Sequence, residues 1–345
     1  MNRLNRRLII VFFLTIAMGC PTGLSRQAWA RETPRGLFAL SKNIQPMSDW
    51  IFSENSLAGV SLRAKWTDIE PQENQYHWTF DQDMAPAKKA GKKIILRISQ
   101  GSNSPDWVYA DGAEKFIFTE SNSHRPGAGM TAVMPVPWDP VMLTKWTQLI
   151  KAFGDKYNKD EAVVLIQMVG PEKHGGEMHL PNTKMDKEHW RQIGYSKEKL
   201  VSAWITVIDA YADAFPDKPL ALDVALPVYD DGAVEEVMAY AKQKLGDRFA
   251  VQHNALAAKT KTTGKPHKWV LTYRDKTIIG FQLLCSVIPQ DRFNENGQRF
   301  GGTMAQGLQI GMDSGASYFE IYPADYKDPV SAAALRQTAQ MLLRR

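Results

Sequence analysis

The sequence has very little cysteine: among 345 residues only Cys20 and Cys285 occur. Cys20 lies in the N-terminal apolar segment, so removal of that segment would leave one thiol and no internal disulfide. Cys285 lies in the strand-like run GFQLLCSV, where a buried and unreactive thiol is expected rather than a nucleophile. The sequence therefore excludes a disulfide framework and gives no reason to expect thiol catalysis.

Other patterns are missing as well. No arginine-rich stripe with interleaved aromatic residues occurs, and the net charge of +5 is scattered, so no nucleic-acid partner is predicted. No G-x-G-x-x-G opens a strand–helix unit, and no cofactor is predicted. No Pro/Gly-rich linker divides the chain, which predicts one domain. The sequence gives no indication of an oligomeric state.

The N-terminus has the pattern of a secretory signal. Three arginines precede a short apolar run from Leu8 to Met18, and AWA follows at 28–30. This run is too short for a good membrane span, and cleavage after Ala30 is the simplest interpretation. We therefore expect a signal peptide over 1–30, a mature domain over 31–345 without a stable membrane span, and a secreted or periplasmic protein. Lipoprotein processing at Cys20 is the less favoured alternative, because the residues before it match the usual motif poorly.

The rest of the chain alternates strand-like runs with amphipathic helical patterns. The strand-like runs are GLFALS, AGVSLRAKW, KKIILRIS, AVVLIQMV, LALDVAL, RFAVQHN, IIGFQLLC and ASYFEIYP. Strands that alternate with helices in this number predict an α/β fold of the (β/α)₈ TIM-barrel type. A doubly wound sheet is the alternative, and the missing glycine motif disfavours it.

Nearly every strand-like run contains a polar residue, which is unusual because barrel interiors prefer branched apolar side chains. These residues are Arg63, Arg97, Gln167, Asp223, Gln252 or His253, Gln282 and Glu320. Any one of them could be a satisfied core hydrogen bond or could point outward. Their recurrence on successive strands instead predicts a polar lining at the barrel mouth, where the active sites of such barrels lie.

Residues 59–99 resemble the second and third βα units of clan A glycoside hydrolases, particularly family 42. The residues that carry the resemblance are Arg63, Trp66, Ile69, Glu70, Pro71, Tyr76, Trp78 and Gly91, followed by SPDWV at 104–108 and VPWDP at 136–140. The resemblance covers about half of the mature chain. It implies a barrel that hydrolyses glycosidic bonds.

Glycoside hydrolysis usually needs two carboxyl groups, and clan A enzymes place the acid/base after the fourth strand. The sequence offers two glutamates there, Glu172 and Glu177, without the usual Asn-Glu pair. Glu172 lies closer to the strand end, whereas glycines beside Glu177 allow close approach of a substrate. The resemblance favours Glu177, because related barrel sequences often carry a G-x-E-M-like turn there. Clan A enzymes place the nucleophile at the end of strand seven, but here Gln282 stands in that run. Glu320, on strand eight, is the best available second carboxylate.

The resemblance and the strand ends together predict a set of sugar-binding residues. Trp66, Trp107 and Trp138 lie in or next to loops of the mouth and could form flat platforms for sugar rings, although they could also pack under the loops. The complete predicted substrate-binding set is Arg63, Trp66, Arg97, Trp107, Trp138, His179, Asp223, Asn254, Gln282 and Tyr322.

A metal site is not predicted. His174 and His179 are five residues apart across two glycines, whereas the H-E-x-x-H motif needs histidines four apart on a helix. The leading hypothesis is a secreted glycoside hydrolase that acts on an oligo- or polysaccharide. The alternative is a non-catalytic carbohydrate-binding barrel of the cell envelope, which the missing strand-seven acid favours. A purely structural envelope protein is a third possibility, and the inward polar residues argue against it.

Overall fold

A computed structural model describes residues 33–41, 46–125, 127–288 and 298–344. These residues form a closed barrel of eight parallel strands, in which the first and last strands pair with each other. The (β/α)₈ fold predicted from the sequence is therefore confirmed. The predicted signal peptide at 1–30 lies outside the described residues. In the described part of the chain, no helix is long and apolar enough to cross a membrane.

The barrel strands occur at the eight positions that the sequence predicted. The strands, including a two-stranded hairpin outside the barrel, are β1 Gly36–Leu40, β2 Leu57–Lys65, β3 Lys93–Ser99, β4 Lys115–Thr119, β5 Thr131–Pro135, β6 Val163–Met168, β7 Leu220–Asp223, β8 Phe249–Leu256, β9 Ile278–Leu283 and β10 Tyr318–Ile321. The helices are α1 Asp49–Ser53, α2 Trp66–Ile69, α3 Asp81–Lys89, α4 Asp106–Ala110, α5 Pro140–Tyr157, α6 Lys184–Gln192, α7 Lys197–Ala214, α8 Ala233–Leu245, α9 His267–Thr272, α10 Met304–Asp313 and α11 Pro329–Leu343.

Several of these features were not predicted: the short helices α2, α4, α6 and α9, and the antiparallel hairpin β4–β5. The hairpin belongs to the connection between β3 and α5, on the side of the barrel where the strands end. Local signals fix the longer helices. The α5 helix, for example, begins where the Asp139 carboxylate accepts the N–H of Met142 at 2.8 Å, with a proline in its first turn.

The barrel has two separate apolar regions. A large one lies between the strands and the surrounding helices and includes the buried Cys285 thiol, as the sequence predicted. A small one, which we term the apolar layer, fills the barrel interior; it consists of Phe38, Ile95, Val164, Leu165, Ala221, Ala250 and Tyr318. Gly280 makes room for the Tyr318 ring, because a Cβ atom there would lie 2.2 Å from its Cζ.

Candidate active site

Directly above the apolar layer lies a polar layer. On several strands its residue follows an inward apolar residue by two positions, as in Ile95 and Arg97 or Leu165 and Gln167, because successive side chains on a strand alternate between the two faces. The polar layer consists of Arg63, Arg97, Gln167, Asp223, Gln252, Gln282 and Glu320. It occupies the ends of the strands, as predicted.

On β8 the sequence left open whether Gln252 or His253 points inward. Gln252 does: it accepts a hydrogen bond from the Tyr318 hydroxyl at 2.6 Å inside the barrel. His253 lies on the outer side, where its ring contacts His267 and Phe281. Burial lowers the pKa of His253 to about 3, so it is a neutral packing residue at ordinary pH.

Glu320 is completely enclosed, and both of its carboxylate oxygens are occupied. One oxygen accepts the Ser61 hydroxyl at 2.5 Å. The other accepts Nη2 of Arg63 at 3.1 Å and Nε2 of Gln252 at 2.8 Å. The same guanidinium also donates to the side-chain oxygen of Gln282. Arg63 therefore neutralises Glu320 and connects it with Gln282 on β9, the seventh strand of the barrel.

Asp223 lies in the same layer but is only half satisfied. Its Oδ2 accepts Nη1 of Arg97 at 3.0 Å and Nδ2 of Asn254 at 2.9 Å. Its Oδ1 is buried and has no hydrogen-bond partner among the described residues. Burial raises the pKa of Asp223 to about 7 despite the attraction of Arg97. Gln252 donates to Asn254 at 2.6 Å and so links the two carboxylates in one network.

Four buried polar atoms of the polar layer have no partner among the described residues. Two are acceptors, Oδ1 of Asp223 and Oε1 of Gln167, and two are donors, Nε of Arg63 and Nε of Arg97. Buried polar groups in folded proteins are nearly always paired, and each unpaired one costs about 1–3 kcal/mol. An ordinary hydrophobic core would not contain four unpaired polar atoms in one layer. A mixture of free donors and acceptors matches a ligand rich in hydroxyl groups.

The loop after β6 carries the two glutamates that the sequence offered as acid/base. Glu172 is wholly buried; its carboxylate accepts the N–H of Gly176 at 2.7 Å and that of Gln100 at 3.2 Å. Burial raises the pKa of Glu172 to about 8. Each oxygen of Glu172 thus binds a backbone N–H group, one from each of two neighbouring loops. This geometry does not suit a group that must approach a substrate, and it favours Glu177.

Glu177 is partly exposed, and the residues before and after it contact the polar layer. The glycine before it, Gly176, has a φ of +96° and rests against Arg97, where a Cβ atom would lie 2.6 Å from Cδ. On its other side, the N–H of Met178 donates to the backbone oxygen of Asp223 at 3.3 Å. The charge of Glu177 contributes to the raised pKa of Asp223, which places these two carboxylates in one electrostatic environment.

The three predicted tryptophan platforms have different surroundings. Trp66 was wrongly predicted as a platform: it is fully buried, donates to the Glu70 carboxylate at 2.9 Å and packs against Trp107 and Trp146. Its ring fixes the start of the loop after β2. Trp107 and Trp138 are partly exposed. Trp107 borders a cleft of about 380 Å³ together with the segments 71–73 and 104–106. Their role in sugar binding stays a prediction.

The histidines of the loop bond to protein groups. His174 lies with Nε2 at 3.4 Å from the Glu120 carboxylate, and His179 lies with Nδ1 at 3.1 Å from the backbone oxygen of Leu226. Within the described ranges, no group of three or more His, Cys, Asp or Glu side chains is arranged to hold a metal ion. His179 and Tyr322 remain predicted sugar-binding residues that no observation tests.

Sequence reasoning missed some residues of the site. Ser61 could have been found, because it lies two residues before Arg63 and must share its inward face. Gln100 and Glu120 could not, since they act through contacts between loops that no local pattern indicates.

The closed barrel of eight parallel strands, together with the comparisons that follow, fits a clan A-like (β/α)₈ glycosidase. Residues 47–215 match the family model of glycoside hydrolase family 42, which is described as beta-galactosidase. This match covers the β2–β3 segment that carries the resemblance in the sequence. No curated protein sequence is significantly similar to the chain.

Solved structures of glycoside hydrolases share the fold. The beta-galactosidase from the psychrophilic Marinomonas ef1 superposes with a TM-score of 0.55 at 11% identity, over 89% of this chain and 59% of that one. The cold-adapted beta-galactosidase from Rahnella sp. R3 gives 0.53 at 12% identity, over 91% and 56%. Xylanase 10B from Thermotoga maritima gives 0.51 at 10% identity, over 90% and 97%. The chain thus spans under two thirds of each beta-galactosidase.

Proposed function

We propose that the protein is a glycoside hydrolase that acts on an oligo- or polysaccharide. The observation that carries this proposal is the set of four buried polar atoms in the polar layer that have no partner among the described residues. The family match over residues 47–215 supports the same reaction class. Free donors and acceptors at the bottom of the mouth suit sugar hydroxyls, and a half-exposed carboxyl group above them suits proton transfer to a glycosidic oxygen.

In this proposal Glu177 is the general acid/base. Asp223 is the second carboxylate, because its Oδ1 is free of hydrogen bonds and lies beneath the Glu177 loop. Glu320, the second carboxylate expected from the sequence, is instead an electrostatic support, since all its hydrogen bonds are made within the barrel. The acid gives its proton to the leaving oxygen, while the second carboxylate stabilises or attacks the anomeric carbon or activates a water.

The test is hydrolysis of a panel of chromogenic glycosides. Glu177→Gln should lower turnover by about two to four orders of magnitude, the usual share of general acid–base catalysis. Asp223→Asn should cause a loss of similar size. Glu188→Gln is the matched control, because Glu188 is an exposed glutamate on α6, and it should leave turnover unchanged. Full activity in Glu177→Gln would remove this residue from the mechanism.

A second candidate function is a carbohydrate-binding barrel without turnover. The observation that favours it is Gln282, which stands on β9 where clan A enzymes carry their nucleophile; the described residues of β9 and the turn after it, 278–288, contain no carboxylate. Sugar binding on a glycan array, without hydrolysis of any glycoside, would select this candidate. Neither binding nor hydrolysis would contradict both.

We also propose that the protein acts outside the cytoplasm, as the signal pattern at 1–30 predicts. The mature protein should begin at Arg31 when it is isolated from its native host. Mass spectrometry of the purified protein reads this directly, and a lipid-modified Cys20 would show the alternative processing.

A further inference from the structure

The hairpin β4–β5 is an addition to the barrel, and it is firmly attached. Phe116 stacks on Trp190 of α6 with 3.5 Å between ring centroids and 7° between ring planes. The same ring also stacks on His189. Phe118, on the same face of β4, is almost fully buried. The hairpin is therefore a rigid neighbour of the loop that carries Glu177.

The hairpin places one carboxylate in this loop. Glu120, which follows β4, is only 5% exposed. Its Oε1 accepts Nζ of Lys173 at 3.0 Å and the N–H of Asn122 at 2.8 Å, and its Oε2 lies 3.4 Å from Nε2 of His174. Lys173 and His174 are themselves nearly enclosed, so the contact is shielded from water. Burial holds the pKa of His174 far below its usual range, at about 2, so Lys173 is the cation of this group.

These contacts lie three and four residues before Glu177. Between them are Gly175 and Gly176, which both have positive φ values and no side chain of their own; the N–H of Gly176 donates to the Glu172 carboxylate. After Glu177 the loop is attached again through Met178 to Asp223. Glu177 thus lies in the short segment 173–178, which we term the bridge. Its first residues contact the hairpin side through Glu120, and its last residue is attached to the barrel through Asp223.

We propose that Glu120 is a positioning residue for Glu177; this inference rests on the proposed function. Glu120 holds the first half of the bridge in place and neutralises the Lys173 ammonium beside it. A carboxyl group that must donate a proton works poorly next to an unpaired cation, because the cation favours the ionised form. The charged and titratable groups that surround the bridge are Arg97 and Asp223 from the barrel, Glu120 and Arg125 from the hairpin side, and Lys173, His174 and His179 from the loop itself.

The experiment compares Glu120→Gln, Lys173→Met and the double variant with Glu188→Gln as control, on a glycoside that the wild type hydrolyses. Glu120→Gln should lower kcat by about tenfold to a hundredfold with little change in KM, the effect of a catalytic group that is slightly misplaced. The alkaline limb of its pH–rate profile should move to lower pH. Lys173→Met in the same chain should reverse that movement, because it removes the unpaired charge.

Hydrogen exchange of the segment 173–178 gives a readout that does not depend on turnover. Glu120→Gln should speed exchange there while α5 is unchanged. Unaltered exchange together with an unaltered kcat would overturn the inference. A loss of kcat that Lys173→Met does not reverse, with exchange raised throughout the chain, would reduce Glu120 to a folding residue and overturn it as well. If the wild type hydrolyses no glycoside, the proposed function fails, while faster exchange confined to 173–178 still supports the positioning of Glu177.

Discussion

The apolar layer and the polar layer lie on the same strands, two residues apart, and obey opposite rules. The apolar layer is filled by side chains such as Leu165 that are fully buried and contain no polar atom. The polar layer holds two arginines, two carboxylates and three amides, and four of its buried atoms have no partner among the described residues. The first arrangement stabilises the barrel. The second costs stability, which a folded protein tolerates where a ligand binds.

The largest effect is expected in the apolar layer. Leu165→Ala should lower the free energy of unfolding by about 2–5 kcal/mol, because it leaves a cavity in an enclosed site. Hydrolysis by the folded fraction should be unchanged, since Leu165 lies below the polar residues. Chemical denaturation and steady-state kinetics measure the two quantities. Leu343→Ala, at an exposed position on α11, is the control and should change stability by less than about 0.5 kcal/mol.

The second effect concerns the pH dependence of the free energy of unfolding. It tests the burial of Glu172, in the loop after β6 that lies next to the polar layer. The pKa of Glu172 is raised from 4.5 to about 8, so the folded state binds its proton more tightly than the unfolded state. The stabilisation from this group is present below the unfolded pKa and is lost as the pH rises through about 8. Between these values it should lower the free energy of unfolding by about 1.4 kcal/mol per pH unit.

In Glu172→Gln this contribution to the slope should disappear. Denaturation at several pH values between about 6.5 and 8 measures it, relative to the wild type. Equal slopes in the two proteins would show that Glu172 does not take up a proton on folding.

The smallest effect is expected from a substitution that makes the polar layer more apolar. Gln167 is fully buried; its Oε1 has no partner and its amide nitrogen lies a long 3.5 Å from Asp223. Gln167→Met keeps the size and removes the unpaired oxygen, so the protein should gain about 1 kcal/mol of stability. Sugar binding or turnover should fall at the same time. A loss of stability with function intact would contradict the distinction between the two layers.

Local sequence patterns predicted the barrel and most of its polar layer. Period-two alternation and the spacing of the strands located Arg63, Asp223 and Glu320 because these signals depend only on neighbours along the chain. The same signals could not place Trp66. Its aromatic ring is of the type that binds sugars, but it is buried against Trp107 and Trp146.

The sequence by itself determined the closed barrel and its polar mouth, since both follow from residue types at fixed local spacing; that chemistry takes place in the loop after β6 stays a prediction. Only the tertiary structure decided which loop glutamate is enclosed, which carboxylate has a free oxygen and which residues hold the loop. Glu172 accepts a backbone N–H from Gln100, at the end of another strand, and Lys173 in the loop of Glu177 pairs with Glu120, which follows a hairpin strand about fifty residues earlier in the chain. Such contacts between distant segments produce no periodicity and no local motif in the sequence, so they can be recognised only in the three-dimensional structure.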